Sequence, residues 1–173
     1  MAGRRLDASK TQTVSFPSRS VDRVASDIAK LFDQLEVTMV VASAACGADV
    51  LALEAALLRG AEVRVVLPLG NEAFRSMSVT DRAPMWGQRY DRLIRYADAH
   101  GAIVAVPGDG VDAFVNASRK ILQLALTEGK ALDAEAVAVA IWNLEPRAAD
   151  DLTALFLDDA RALGLASYSI DTR

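Results

Sequence analysis

The chain has 173 residues, enough for one domain with a full core. Apolar residues make up 52% of it and the net charge is −4, which argues against general binding to a nucleic-acid backbone, since that needs a basic face. No apolar run reaches membrane-spanning length, no signal-peptide core opens the chain, and a lone Cys and a lone His leave neither an internal disulfide nor a zinc site, so the reading is a cytoplasmic protein with no membrane partner and no metal.

A chain of this pattern should open with an apolar strand, and Met1–Asp7 contains none. Gly3–Asp7 (GRRLD) reads as the loop after such a strand, so the first strand is expected to be missing or replaced by another element or subunit. Lys10–Pro17 is polar and expected to be irregular. Ser18 or Ser20 can cap a helix in which Val21, Val24, Ile28, Leu31 and Leu35 recur at helical spacing. Met39, Val40 and Val41 form a short strand. A turn of small residues follows, then a helix from about Ala48 to Arg59, ended by Gly60. Val63, Val65, Val66 and Leu67 make the next strand, and Pro68 closes it. Two β-branched runs around one helix are a βαβ unit, so these strands should be parallel.

Within Leu69–Ala83, Asn71–Met77 reads as a short helix. Pro84 opens a longer one carrying Met85, Trp86, Tyr90, Leu93, Ile94 and Ala97, which ends near Gly101. Ala102–Val106 is a strand, and Pro107–Gly110 a turn. Asp112 can begin a helix with Phe114, Val115, Ile121, Leu122 and Leu126 on its buried side. Gly129–Asp133 reads as a loop, Ala136–Trp142 as a strand, Asp150 or Asp151 as the cap of a helix through Leu163, and Ala166–Ile170 as an edge strand. This alternation predicts an α/β fold: a three-layer open parallel sheet with helices on both faces, in one domain over residues 1–173.

The candidate site lies at the turn before the Ala48 helix. Ser43, Ala44, Ala45, Cys46 and Gly47 bring small side chains and free amides to a helix N-terminus, which suits an anion. The same residues also suit simple crowding of strand against helix. The turn has neither the Gly-Lys-Ser/Thr of a phosphate loop nor G-x-G-x-x-G. Asp49, in the first helical turn, either complements the helix dipole or orients the Ser43–Gly47 loop or a ligand ribose. Glu54 has Val50, Leu51, Leu57 and Leu58 at three and four residues' distance. A carboxylate on an apolar stripe is expected to pair with an Arg or a backbone amide, or to meet a ligand hydroxyl or base. Glu54 is also the candidate catalytic carboxylate. The helix start favours a Cys46 thiolate, but no partner for a catalytic thiol is evident. His100 reads as a helix-end residue. Arg75, Ser76 and Ser78, and then Gly108, Asp109, Gly110 and Asn116, follow strands, where open α/β sheets bind ligands. Each set also reads as an ordinary surface loop or helix cap. Trp142, with Asn143, ends a strand and is either core or a stacking platform.

The run ASAACGADVLALEAALLRGAEVRVVLP resembles the SLOG superfamily, Rossmann-like nucleotide-binding domains that include the Smf/DprA proteins and the LOG phosphoribohydrolases. Phe74 with Ser78-Val79, Trp86, Asn116 and Ile141-Trp142-Asn143 are similar to bacterial members fused to signalling or conflict-effector modules, in order and spacing. The resemblance implies a Rossmann-like fold and a nucleotide or nucleotide-derived ligand at the strand C-termini, with no further cofactor. It departs from the LOG enzymes at Val106-Pro107-Gly108-Asp109-Gly110-Val111-Asp112, where their Pro-Gly-Gly-x-Gly-Thr-x-x-Glu loop would stand; the second Gly-Thr and the Glu are missing. Three functions follow as expectations. The first is non-catalytic binding or sensing of that ligand. The second is N-glycosidic hydrolysis of a nucleotide, using Glu54. The third is a degenerate structural domain that self-associates, for instance as a homodimer through an exposed sheet edge.

Overall fold

The computed structural model describes residues 1–9, 11–82 and 84–173. Lys10, the start of the segment expected to be irregular, and Ala83, the end of the loop expected from Leu69, lie outside the described residues. In chain order the elements are β1 (Ala2–Gly3), α1 (Val21–Gln34), β2 (Met39–Ala42), α2 (Ala48–Leu58), β3 (Glu62–Pro68), α3 (Asn71–Arg75), α4 (Pro84–Ala99), β4 (Ile103–Val106), α5 (Gly110–Ala131), β5 (Ala138–Trp142), α6 (Leu152–Ala162) and β6 (Ser167–Asp171). A 3-10 turn, Ser18–Ser20, precedes α1, and a π-helical turn, Ser76–Thr80, follows α3.

All strand pairings are parallel, in two three-stranded sheets of order β2-β3-β4 and β1-β5-β6. Val41 pairs with Arg64 and Val65 with Ile103 in one; Ala2 pairs with Ala140 and Ile141 with Ile170 in the other. The Met1 nitrogen donates to Val41 O at 2.6 Å, so β1 stands edge to edge with β2. Helices cover both faces, as side-chain parity in the strands requires. Val40, Ala42, Val63, Val65, Leu67, Val139 and Ile141 pack with α1, α2 and α4. Val41, Val66 and Ala138 point the other way, onto Ala117, Ile121 and Leu122 of α5 and Phe156 and Ala160 of α6. The result is a three-layer, Rossmann-like α/β fold. Among the described residues no helix is long and apolar enough to cross a membrane.

Several expectations are corrected. The first strand is present as β1, two residues long, and Arg4–Asp7 is the loop that follows it. Neither Ser18 nor Ser20 makes a side-chain cap bond; Ser20 occupies the cap position of α1 without one. The helix expected from Asp112 starts at Gly110 and runs through Gly129 to Ala131, into the segment read as a loop. Gly129 is small for a different reason: a Cβ there would lie 2.9 Å from Ala134 O, in the turn that folds back on the helix. The left-handed residue of that turn is Asp133, with φ 50°. Of the two caps proposed for α6, Asp151 is the one used; its Oδ1 accepts from Thr153 N at 3.0 Å and Ala154 N at 3.2 Å.

Candidate functional site

The turn before α2 is built by the loop after β1. Arg5 and Gly47 form an antiparallel bridge, Leu6 N donates to Cys46 O at 3.1 Å, and Ala48 N donates to Arg4 O at 3.1 Å. Gly47 is required at this crossing. Its φ is 107°, and a Cβ would meet Arg4 O at 2.8 Å and Leu6 N at 2.9 Å. From the other side, Ser78 O in the π-helical turn accepts from Cys46 N at 3.0 Å. Asp49 reaches back from α2 and accepts from Ala45 N at 3.2 Å through Oδ2. Of the turn amides read as free, those of Ala45 and Cys46 are used within the protein, as is that of Ala48 at the helix start. Cys46 is also corrected. It is buried, and burial pushes its thiol up rather than favouring thiolate, although the Arg5 guanidinium pulls the other way.

Beside this turn lies a cavity of 380 Å³. Gly3 at the end of β1, Ser43 after β2, Ser78 after β3 and Thr153 after β5 all line it, so it opens at the carboxyl ends of the strands. It also sits where the sheet order turns from β1 toward β2 on one side and β5 on the other. That is the position at which open α/β sheets take ligands. The walls are mostly apolar. Phe74 and Phe114 form part of them, in contact with each other with ring centroids 6.3 Å apart, and Met77, Ile121 and Leu152 add to them.

Its polar groups are few. Among the described residues, two buried side-chain atoms have no hydrogen-bond partner, Arg5 Nε and Ser118 Oγ, and both residues line this cavity. The rest of the Arg5 guanidinium is fixed, with Nη1 donating to Met77 O at 2.8 Å and Nη2 paired with Asp81. Beside the Ser43, Ser78 and Thr153 hydroxyls, the remaining polar side chain is Asp49. Burial pushes its carboxyl up to about 6, against the opposing pull of the Ala45 N–H and of Arg5.

Of the candidate residues, the cavity gathers Ser43, Ala45, Asp49 and Ser78. Ala44, Cys46 and Gly47 are buried behind it as the frame of the turn. The others stand elsewhere. Glu54 is half-buried on α2, held by both guanidinium nitrogens of Arg89, whose Nε donates to it at 3.0 Å while the cation lies 4.1 Å from the centre of the Trp86 ring. That is the Arg pairing expected for a carboxylate on this stripe, although Leu58, read as part of the stripe, is exposed. Arg75 is held by Asp91 at 2.7 and 2.9 Å, and Ser76 is exposed. Gly108, Asp109, Gly110 and Asn116 are exposed around the start of α5. Trp142 lies 5.5 Å from the Arg4 guanidinium and donates to Ser169 Oγ at 3.3 Å. Arg4 itself is buried in a structural network with Asn143 Oδ1 at 2.8 Å, Asp151 Oδ2 at 2.5 Å and Glu145 O at 2.6 Å. His100 is exposed, its ring stacked on Tyr96.

Arg5 and Ser118 were missed as site residues. A signal existed for Ser118: Phe114, Ser118 and Ile121 share one stripe of α5, and an isolated hydroxyl on an apolar stripe is the pattern that singled out Glu54. Arg5 carried no signal that separated it from Arg4; only the fold sends one into the protein interior and the other to the cavity. Comparison with protein-family models, curated proteins and solved structures finds no match to this chain. Fold and site therefore define its class, a Rossmann-like α/β domain with a cavity at the strand carboxyl ends.

Proposed function

We propose that the protein binds or senses a nucleotide or nucleotide-derived small molecule in this cavity, without turning it over. One observation carries the reading: two residues with an unpartnered buried polar atom, Arg5 (Nε) and Ser118 (Oγ), line the same largely apolar cavity. Buried polar groups are nearly always satisfied, so an orphan donor and an orphan hydroxyl on two residues of one cavity support the reading of a ligand that satisfies them. A flat base packs against the apolar wall that Phe74 and Phe114 contribute to, and an acceptor on the ligand meets Arg5. The turn before α2 is a poor phosphate cradle, since its Ala45 and Cys46 amides are in use and Asp49 stands in it. The ligand's phosphates therefore lie toward the solvent mouth. The resemblance to the SLOG superfamily supports the same ligand class, and a cytoplasmic, bacterial signalling setting goes with it.

The test is a melting-temperature screen with AMP, NAD, ADP-ribose and cyclic dinucleotides at millimolar concentration. At a hundredfold excess over Kd, binding stabilises by about 2.7 kcal/mol, a rise of roughly 5–10 °C for a chain of this size. No rise with any of them contradicts the proposal.

A second reading, N-glycosidic hydrolysis, is favoured by the Asp49 carboxyl on the cavity wall, with its affinity for protons near neutral pH. It differs from the version with Glu54 as catalyst, because Arg89 holds Glu54 away from the cavity. Base release from AMP or NAD that is lost in Asp49→Asn supports it; absence of turnover by intact protein removes it.

A further inference from the structure

Asp49 leaves one carboxylate oxygen unused. It stands in the first turn of α2 and is only 7% exposed. Its Oδ2 accepts from Ala45 N at 3.2 Å, while its Oδ1 has no hydrogen-bond or ion-pair partner among the described residues. Two cations act on it from a distance, and both are engaged elsewhere. The Met1 amino group donates to Val41 O, and the Arg5 guanidinium is held by Met77 O and Asp81. Nor is Oδ1 one of the sealed orphan atoms, which are Arg5 Nε and Ser118 Oγ. Oδ1 therefore faces open space, and the space that Asp49 lines is the 380 Å³ cavity. A carboxylate oxygen in mostly apolar surroundings is a strong acceptor, costly to leave without a donor. The same cavity is lined by Ser43, Ser78 and Thr153, whose hydroxyls donate or accept as a ligand requires.

We propose, resting on the nucleotide reading of this cavity, that Asp49 selects the base of the ligand and that the base is guanine. With the base against the apolar wall and the phosphates toward the mouth, the group that reaches Asp49 is a base edge. An ionised carboxylate only accepts, so that edge must supply donors. Guanine carries two side by side, N1–H and the 2-amino group, with its O6 acceptor next to them for a serine or threonine hydroxyl. Adenine instead sets a bare N1 beside its amino group, and turns a lone pair toward the carboxylate. A site built to accept from a ligand N–H discriminates strongly against a ligand that lacks it. The Ala45 N–H fixes the polarity of the site, because it occupies one oxygen and leaves the other to the ligand. In Asp49→Asn the side-chain carbonyl stays on the Ala45 N–H, and the amide nitrogen, a donor, turns to the cavity. The substitution thus exchanges a preference for base donors for a preference for a base acceptor.

The test measures Kd by calorimetry for GMP, for IMP, which lacks only the 2-amino group, and for AMP, on the native protein and on Asp49→Asn. At about pH 7.5 the Asp49 carboxyl, pushed up to about 6 by burial, is mostly ionised. The native protein is expected to bind GMP about tenfold or more tighter than either IMP or AMP, the worth of one hydrogen bond to a charged group. Asp49→Asn is expected to reverse the order of GMP and AMP. Equal affinity of the native protein for GMP and IMP overturns the proposal, and that comparison stands whether or not the variant folds. So does a folded Asp49→Asn protein that keeps the GMP preference. Equal binding of all three nucleotides, lost in their 2′,3′-dideoxy forms, overturns this proposal alone, because the carboxylate then meets the ribose of a nucleotide that does bind. No binding of any of the three at millimolar concentration overturns both this proposal and the nucleotide reading.

Discussion

Asp49 is the residue at which packing and chemistry meet. It is buried, it fixes the Ala45 amide, and burial pushes its carboxyl up to about 6, above the ordinary carboxylate range. The folded state therefore holds this proton more firmly than the unfolded chain. Between pH 4 and 6 unfolding releases it, so the group's contribution to stability falls as pH rises through that window. A carboxyl resonance for Asp49 with a midpoint near 6 is expected in an NMR titration, and a midpoint below 4 contradicts the burial argument. Asp151 has the opposite sign. Burial would raise it, but the Arg147 N–H and the Arg4 guanidinium hold it below its usual value, so its contribution is lost as pH falls. Its ion pair with Arg4 is almost wholly buried, at 4% and 2% side-chain exposure. Asp151→Ala strands the Arg4 charge and uncaps α6. The expected loss is about 3–5 kcal/mol in urea unfolding, and a loss under 1 kcal/mol contradicts the role. Asp151 was legible as a cap from its place before an apolar run. Its partner was not, because Arg4 lies 147 residues away and nothing local marks which arginine of the pair turns inward.

Among the elements, the turn between β2 and α2 shows how a local motif depends on partners that are distant in sequence. Small residues, a glycine and a helix start were all visible, and the turn does border the cavity. The Ala45 and Cys46 amides are nevertheless engaged by Asp49 and Ser78 O, and that of Ala48 by the Arg4 carbonyl. Gly47 is the hinge of that arrangement. Gly47→Ala forces a side chain into left-handed backbone geometry and onto Arg4 O and Leu6 N. A loss of about 1–3 kcal/mol is expected in thermal or denaturant unfolding, together with weaker ligand binding, because the Arg5 bridge is disturbed. Unchanged stability would mean that the β1 loop is free to move away. The Gly129–Asp133 segment taught the converse: a glycine suggested a helix stop, whereas the helix continues and the glycine serves close approach by Ala134.

For the whole molecule, the alternation of strand and helix made the three-layer parallel architecture legible, since strands buried on both faces must be nearly continuous in apolar residues. The length of β1 was not legible, because two residues carry no periodicity; it shows only through its partners Ala140 and Ile141. The cavity was legible in part. Ser43, Ala45, Asp49 and Ser78 lie next to strand ends and could be proposed from position, while Arg5 and Ser118 depend on how the β1 loop and α5 converge. The central claim is that those two unpartnered groups mark a ligand. It is tested most directly by a crystal structure of the protein grown with millimolar AMP or NAD. The account predicts the nucleotide in the 380 Å³ cavity, its base against the apolar wall that includes Phe74 and Phe114 and a polar atom within about 3 Å of both Arg5 Nε and Ser118 Oγ. A nucleotide bound elsewhere, or a cavity holding only water at that concentration, would contradict it.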